Sequence, residues 1–120
     1  MIHFAPDEFR CKCGRAECDA LAQIQQTLLD RLEVVRMEYG QPMIVTSGLR
    51  CAWWNAQQPG SSSNSSHLRG YAADIACTES RARYELLASA FRVFSRIEIR
   101  PTYLHFGCDP TLSQRVVWLS

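Results

Sequence analysis

Apolar residues recur at helical spacing in only two stretches of this sequence, and that ratio constrains the fold more than any other feature. In the first, Leu21, Ile24, Leu28, Leu32, Val35 and Tyr39 fall three and four residues apart. Gln25, Gln26, Asp30, Arg31, Glu33 and Arg36 lie mostly on the other side, so the stretch reads as an amphipathic helix. Asp19 is placed to cap it, and Gly40 followed by Pro42 stops it. In the second, Thr78 would cap a helix whose stripe is Tyr84, Leu87, Phe91 and Phe94, with Ala88 and Ala90 filling in. The other regular segments, 42–46, 71–77, 96–100, 102–107 and 115–119, are short and β-rich. Residues 1–18 read as an irregular arm broken by Pro6, Asp7 and Gly14, with Phe4 and Phe9 as anchors. Residues 57–66, with Pro59, Gly60, five serines and Asn64, read as a flexible loop. This order of elements predicts an α+β fold, a mainly antiparallel sheet with helices packed on one side.

Composition narrows the function classes. A chain of 120 residues makes one domain, 1–120, and can bury roughly 65% of its unfolded surface. Hydrophobic residues at 47% and charged residues at 21% exclude a disordered chain. A net charge of +1 gives no reason to expect nucleic acid or an anionic membrane as partner. Apolar runs such as 115–119 fall far short of the roughly 20 residues that span a bilayer, so no membrane insertion is expected. Met1 to Asp7 does not read as a secretory signal, and the expectation is a soluble protein made in a cytoplasm.

Six cysteines are unevenly placed: Cys11, Cys13 and Cys18 crowd the arm, while Cys51, Cys77 and Cys108 are scattered. Spacing alone leaves three states open. Buried thiols and disulfides such as Cys11–Cys51 or Cys13–Cys18 carry equal weight. An all-cysteine zinc site with Cys51 as fourth ligand ranks below both, because the two regular Cys-x-x-Cys halves of such sites are missing.

Polar groups also occur where the pattern predicts apolar ones. His67 leads out of the serine loop, Asp74 sits inside the strand Tyr-Ala-Ala-Asp-Ile-Ala-Cys, and His105 lies in a later strand. Two histidines and a carboxylate suffice to hold a catalytic zinc, whose chemistry suits amide hydrolysis. The plainer alternative is core histidines and an Asp paired with an Arg, since no local motif of the His-Glu-x-x-His kind is present.

The segment Ser65-Ser66-His67-Leu68-Arg69-Gly70-Tyr71-Ala72-Ala73-Asp74 fits Ser-x-His-x-x-Gly-x-Ala-x-Asp. In this it resembles the zinc D-alanyl-D-alanine peptidases, a group with the VanX dipeptidases, phage L-alanyl-D-glutamate endolysins and, by fold, hedgehog. Residues 44–50 with Asn55, Thr102 to His105, and the opening Phe4-x-x-x-Glu8-Phe9-x-Cys11 extend the resemblance over nearly the whole chain. The resemblance implies zinc held by His67, Asp74 and His105. It implies a peptidoglycan stem peptide as substrate, action at a bacterial cell wall, and a phage, prophage or bacterial source. Arg50 would steady the substrate carbonyl, its alternative being a partner for Asp74. Ser65 would bond within the turn, and Ser65, Trp54 and Asn55 would contact substrate. One of the adjacent Trp53 and Trp54 is expected to be buried and the other exposed. His3 reads as an exposed terminal residue.

One position departs from the group's pattern. The acid expected three residues before the second histidine is replaced by Thr102, which leaves Glu98, Asp109 or a loop residue to serve as general base. Three readings follow. The first is a monomeric zinc peptidase, either a carboxypeptidase or an endopeptidase. The second is an inactive zinc-binding module of the same fold. The third is a zinc-binding interaction domain organised by Cys11, Cys13, Cys18 and Cys51.

Overall fold

The computed structural model describes residues 3–16, 18 and 23–120. Five strands form one sheet: β1 (Val45–Ser47), β2 (Ala72–Ala76), β3 (Arg96–Ile99), β4 (Tyr103–Gly107) and β5 (Val116–Leu119), in the order β1-β2-β4-β3-β5. All pairings are antiparallel except β3 with β5, so the expected α+β architecture is the one found. The helices are α1 (Gln26–Tyr39), α2 (Ala52–Gln57) and α3 (Ser80–Ala90), with short 3-10 turns at Pro6–Phe9 and Ser66–Arg69.

The alternation of side chains along each strand divides the sheet into two chemically different faces. One face presents Val45, Ala73, Ile75, Ile97, Leu104 and Phe106, which pack against Leu28, Leu32 and Val35 of α1 and Leu86 and Ala90 of α3. Burying each of the large side chains stabilises the fold by roughly 1.5–3 kcal/mol relative to leaving it exposed. Phe4 and Phe9 join this core edge to face, which anchors the arm as expected. The opposite face aligns Ser47, Asp74, His105, Glu98 and Trp118 in register across five strands. Function is therefore to be sought there.

Several element boundaries differ from expectation. The Asp19 cap and Leu21 lie outside the described residues. The described helix begins at Gln26, because Gln25 is held in extended backbone by its N–H on Gly70 O at 3.0 Å and its side-chain amide on Arg69 O at 3.1 Å. Gly40 ends it in the left-handed conformation (φ 77°), as the sequence requires. The first strand starts at Val45 rather than 42, with a bulge between Val45 and Ser47 that breaks the register.

On α3 the cap is Glu79, whose carboxylate accepts from the amides of Arg81 and Ala82, and not Thr78. The buried stripe is Leu86, Ala90 and Phe94, with Ala82 and Leu87 half-buried beside it. Tyr84 is 75% exposed and Phe91 53%. Of the expected stripe, Phe94 is buried and Leu87 half-buried, while Tyr84 and Phe91 turn outward and Leu86 and Ala90 take their place. The short helix α2 gave no periodic signal. It is capped by Cys51, and its one buried residue is the polar Asn55. His3 is half-buried, its Nδ1 2.7 Å from Glu33 Oε2, and is not the exposed terminal residue expected.

Candidate metal centre

Three elements bring the polar residues together. The turn Ser66–Arg69 carries His67; Ser65 caps it, its Oγ accepting the His67 N–H at 3.2 Å. Gly70 closes the turn with φ 79°, and a Cβ there would lie 2.2 Å from Gln23 O, so only glycine fits. Asp74 and His105 are Cα partners on β2 and β4. Their donor atoms and those of His67 all lie within 4.8 Å of one another, and all three side chains are buried.

The hydrogen bonds suit a metal. Gly48 O accepts from His67 Nδ1 at 2.7 Å, which places the ring proton on that nitrogen and leaves the Nε2 lone pair facing Asp74 Oδ1 at 3.3 Å. Asp74 Oδ1 also lies 2.9 Å from His105 Nδ1. Asp74 Oδ2 is turned away and accepts from Arg50 Nη2 at 3.2 Å. Two imidazole nitrogens and one carboxylate oxygen thus converge, the donor set that catalytic zinc takes. Burial holds the His67 imidazole below its ordinary pKa against the pull of Asp74, so it is neutral and able to ligate. Burial pushes the Asp74 carboxyl up, but the hydrogen bond from His105 and the imidazoles beside it outweigh that and hold it well below the usual carboxylate range.

Arg50 pairs with Asp74, the alternative weighed from the sequence, and also reaches the cleft. Its fork is fixed by Asn55 Oδ1 at 3.2 Å and Ser47 Oγ at 3.1 Å, and its N–H donates to His67 O at 3.2 Å. Asn55 in turn donates to Ser62 O at 2.8 Å, and its carbonyl accepts from Ser61 Oγ at 2.6 Å, which ties the serine loop to α2. Asn55 therefore supports Arg50 from outside the cleft.

The cleft over the three ligand candidates has a volume of about 490 Å³ and is walled by Ser65, Glu98, Tyr103 and the loop 58–66. Glu98 lies directly opposite His105 on β3, bonded to Arg100 Nε at 3.0 Å and to Ser120 Oγ. Thr102 is exposed and is not among the lining residues. Asp109 is fully buried outside the cleft, accepting from Arg69 Nε at 2.6 Å and from the Thr111 amide and hydroxyl at 2.9 and 2.7 Å. Trp54 is half-buried and Trp53 exposed; their rings stack on each other, and neither lines the cleft.

Four lining residues escaped the sequence reading. Arg96, Arg100, Tyr103 and Trp118 face the cleft from β3, β4, β5 and the turn between β3 and β4. Arg96 lies over the Trp118 ring at 5.2 Å, and its buried Nε has no hydrogen-bond partner. Burial, then the nearby Asp74, raises the Tyr103 phenol, which stays protonated and able to donate. Alternation along strands 96–100 and 115–119 was the one signal that could have found Arg96 and Trp118, but the pairing of those strands is not local.

The peptidase M15 family model matches residues 2–103, a span that contains His67 and Asp74 and ends two residues before His105. His105 is thus supplied by the geometry of β4. A search of curated proteins found no match. Members of the matched family are zinc enzymes, which agrees with the donor set, and no described helix is long and apolar enough to cross a membrane. With most of its length matched and the polar row of its sheet converging on one cleft, the chain belongs to the peptidase M15 family.

Proposed function

We propose that the protein is a zinc-dependent hydrolase of peptide bonds in bacterial peptidoglycan stem peptides, working as a monomer at the cell wall. The observation that carries this reading is the convergence of His67, Asp74 and His105 donors within 4.8 Å at the floor of an open cleft of about 490 Å³. A zinc ion held by His67 Nε2, Asp74 Oδ1 and His105 Nδ1 would supply a Lewis acid that polarises a carbonyl and acidifies water.

The chain's own groups supply the rest. Arg50 fixes Asp74 through Oδ2 and presents its guanidinium to the cleft, where charge develops on a substrate carbonyl oxygen. Glu98, opposite His105, takes the proton from attacking water and returns it to the leaving amine. Its place opposite His105 on the adjacent strand supports it as the acid in place of the one absent at Thr102. The Tyr103 hydroxyl donates to the bound peptide, and the Arg96 guanidinium, which lines the cleft, suits a carboxylate of the stem. Asp109 holds Arg69 and so the ligand-bearing turn.

Peptidoglycan digestion followed by mass spectrometry tests this. Release of single D-amino acids marks a carboxypeptidase, and release of longer stem fragments an endopeptidase. Glu98→Gln should retain zinc and lose about 100-fold or more in rate. The bonds that hold Glu98 to Arg100 and Ser120 favour a second reading, a module that binds without turnover. Zinc-loaded protein that binds peptidoglycan and releases nothing would establish that instead.

A further inference from the structure

The peptidase reading leaves one cluster of cysteines unused, in which Cys51 is buried, Cys11 and Cys13 are half-buried and Cys18 is exposed. Cys11, Cys13, Cys18 and Cys51 bring four sulfurs to within 4.8 Å of one another, and none of the four lines the cleft. All six cysteines of the chain are free thiols, so neither of the disulfides considered from spacing is formed. We propose that these four residues form a second metal site, a closed tetrahedral zinc site that clamps the N-terminal arm to the start of α2.

Three observations converge. Four thiolates about 2.3 Å from a tetrahedral zinc stand roughly 3.8 Å apart, and a disulfide would draw one pair to about 2 Å and leave the other two idle. The four sulfurs cluster as a set, which is the metal arrangement. Backbone N–H groups already point at the sulfurs: Cys51 N donates to Cys11 Sγ at 3.2 Å, Trp54 N to Cys51 Sγ at 3.4 Å, and Arg15 N to Cys13 Sγ at 3.4 Å. Such donors stabilise and orient sulfur ligands that carry charge. Lys12 and Arg15 alternate with the cysteines, and positive charge offsets the double negative charge of a zinc tetrathiolate.

The site has a consequence for the first one. The arm lies against the segment that supports His67: Leu49 N donates to Phe9 O at 2.8 Å, and a Cβ on Gly48 would sit 2.7 Å from Phe9 Cα. Gly48 O holds the His67 ring, and Cys51 follows Arg50 directly. A rigid clamp at Cys51 therefore fixes both supports of the ligand set. No bond is made or broken beyond coordination, and the thiol protons leave to solvent as zinc binds.

Metal analysis of the whole chain, purified under reducing conditions with zinc, tests the proposal. Two zinc ions per chain are expected, with one retained in the double variant His67→Ala/His105→Ala and released by a mercurial thiol reagent. Cobalt substitution of the wild-type protein should give an intense thiolate-to-cobalt charge-transfer band, a readout that needs no variant to fold. One zinc or none per chain without that band overturns the proposal, as does a mass deficit showing disulfides among these four cysteines in protein purified without reductant and never reduced. Peptidase activity does not enter either outcome, so failure of the peptidase reading is separately visible.

Discussion

A methyl group added at Gly70 would lie 2.2 Å from the Gln23 carbonyl oxygen, in a backbone conformation that side chains rarely adopt. Gly70→Ala is therefore expected to cost about 2 kcal/mol or more in urea denaturation, and to displace His67 with the turn. Arg50 is the second sensitive position. Arg50→Lys keeps the charge and loses the fork that bonds Asp74, Asn55 and Ser47 together. Zinc affinity at the His67 site should fall roughly 10- to 100-fold in competition with a chelator, while the fold persists. At this scale the sequence was informative because His67 and Asp74 fall within the segment that fits Ser-x-His-x-x-Gly-x-Ala-x-Asp, and Asp74 and His105 are polar residues inside strands. It was less informative for Arg50, whose bond to Asp74 and exposure to the cleft are compatible with both of its readings. The separation of Glu98 and Asp109 into a cleft residue and a buried anchor followed from strand register and burial, which linear spacing does not encode.

At the scale of elements, α1 and α3 differ in how plainly they could be read. The stripe of α1 carries large aliphatic residues and a glycine stop, and its buried Leu28, Leu32 and Val35 are those the period selects. On α3 the core takes Leu86 and Ala90, with Ala82 half-buried beside them, and Tyr84 is turned outward. Two substitutions check this difference. Leu32→Ala should lose about 2–5 kcal/mol, whereas Tyr84→Ala should stay within roughly 0.5 kcal/mol of wild type. α2 was missed because six residues give too short a period, and its place depends on the capping sulfur of Cys51 and the buried bonds of Asn55. The clustering of its cap with three arm cysteines is a tertiary fact, invisible in a spacing that lacks paired Cys-x-x-Cys halves.

Over the whole molecule, the sheet separates stability from chemistry, with the aliphatic core on one face and the cleft on the other. Behind the turn that carries His67, the buried Asp109 pairs with the half-buried Arg69. Burial raises the Asp109 carboxyl, but the Thr111 hydroxyl and amide and the Arg69 guanidinium outweigh it and hold it below its usual value. The folded pKa then lies below the unfolded value of about 3.9, so ionised Asp109 favours the fold at neutral pH. That contribution is complete above the unfolded value and is lost as pH falls through the folded one. Asp109→Asn should lower stability at neutral pH and flatten the acid limb of a denaturation series run from about pH 7 to pH 3. The fold class could be read from the sequence because the alternation of two helical stripes with short β runs is a whole-chain property. The junction of Asp109 with Arg69 could not, since 40 residues separate them.

The central claim is that His67, Asp74 and His105 hold a metal on the chemical face of the sheet. Anomalous diffraction at the zinc edge, from crystals grown with zinc, locates that ion directly. The account predicts a peak about 2.0–2.2 Å from His67 Nε2, Asp74 Oδ1 and His105 Nδ1. Density that shows Asp74 bonded to both histidines with no anomalous peak between them would contradict it.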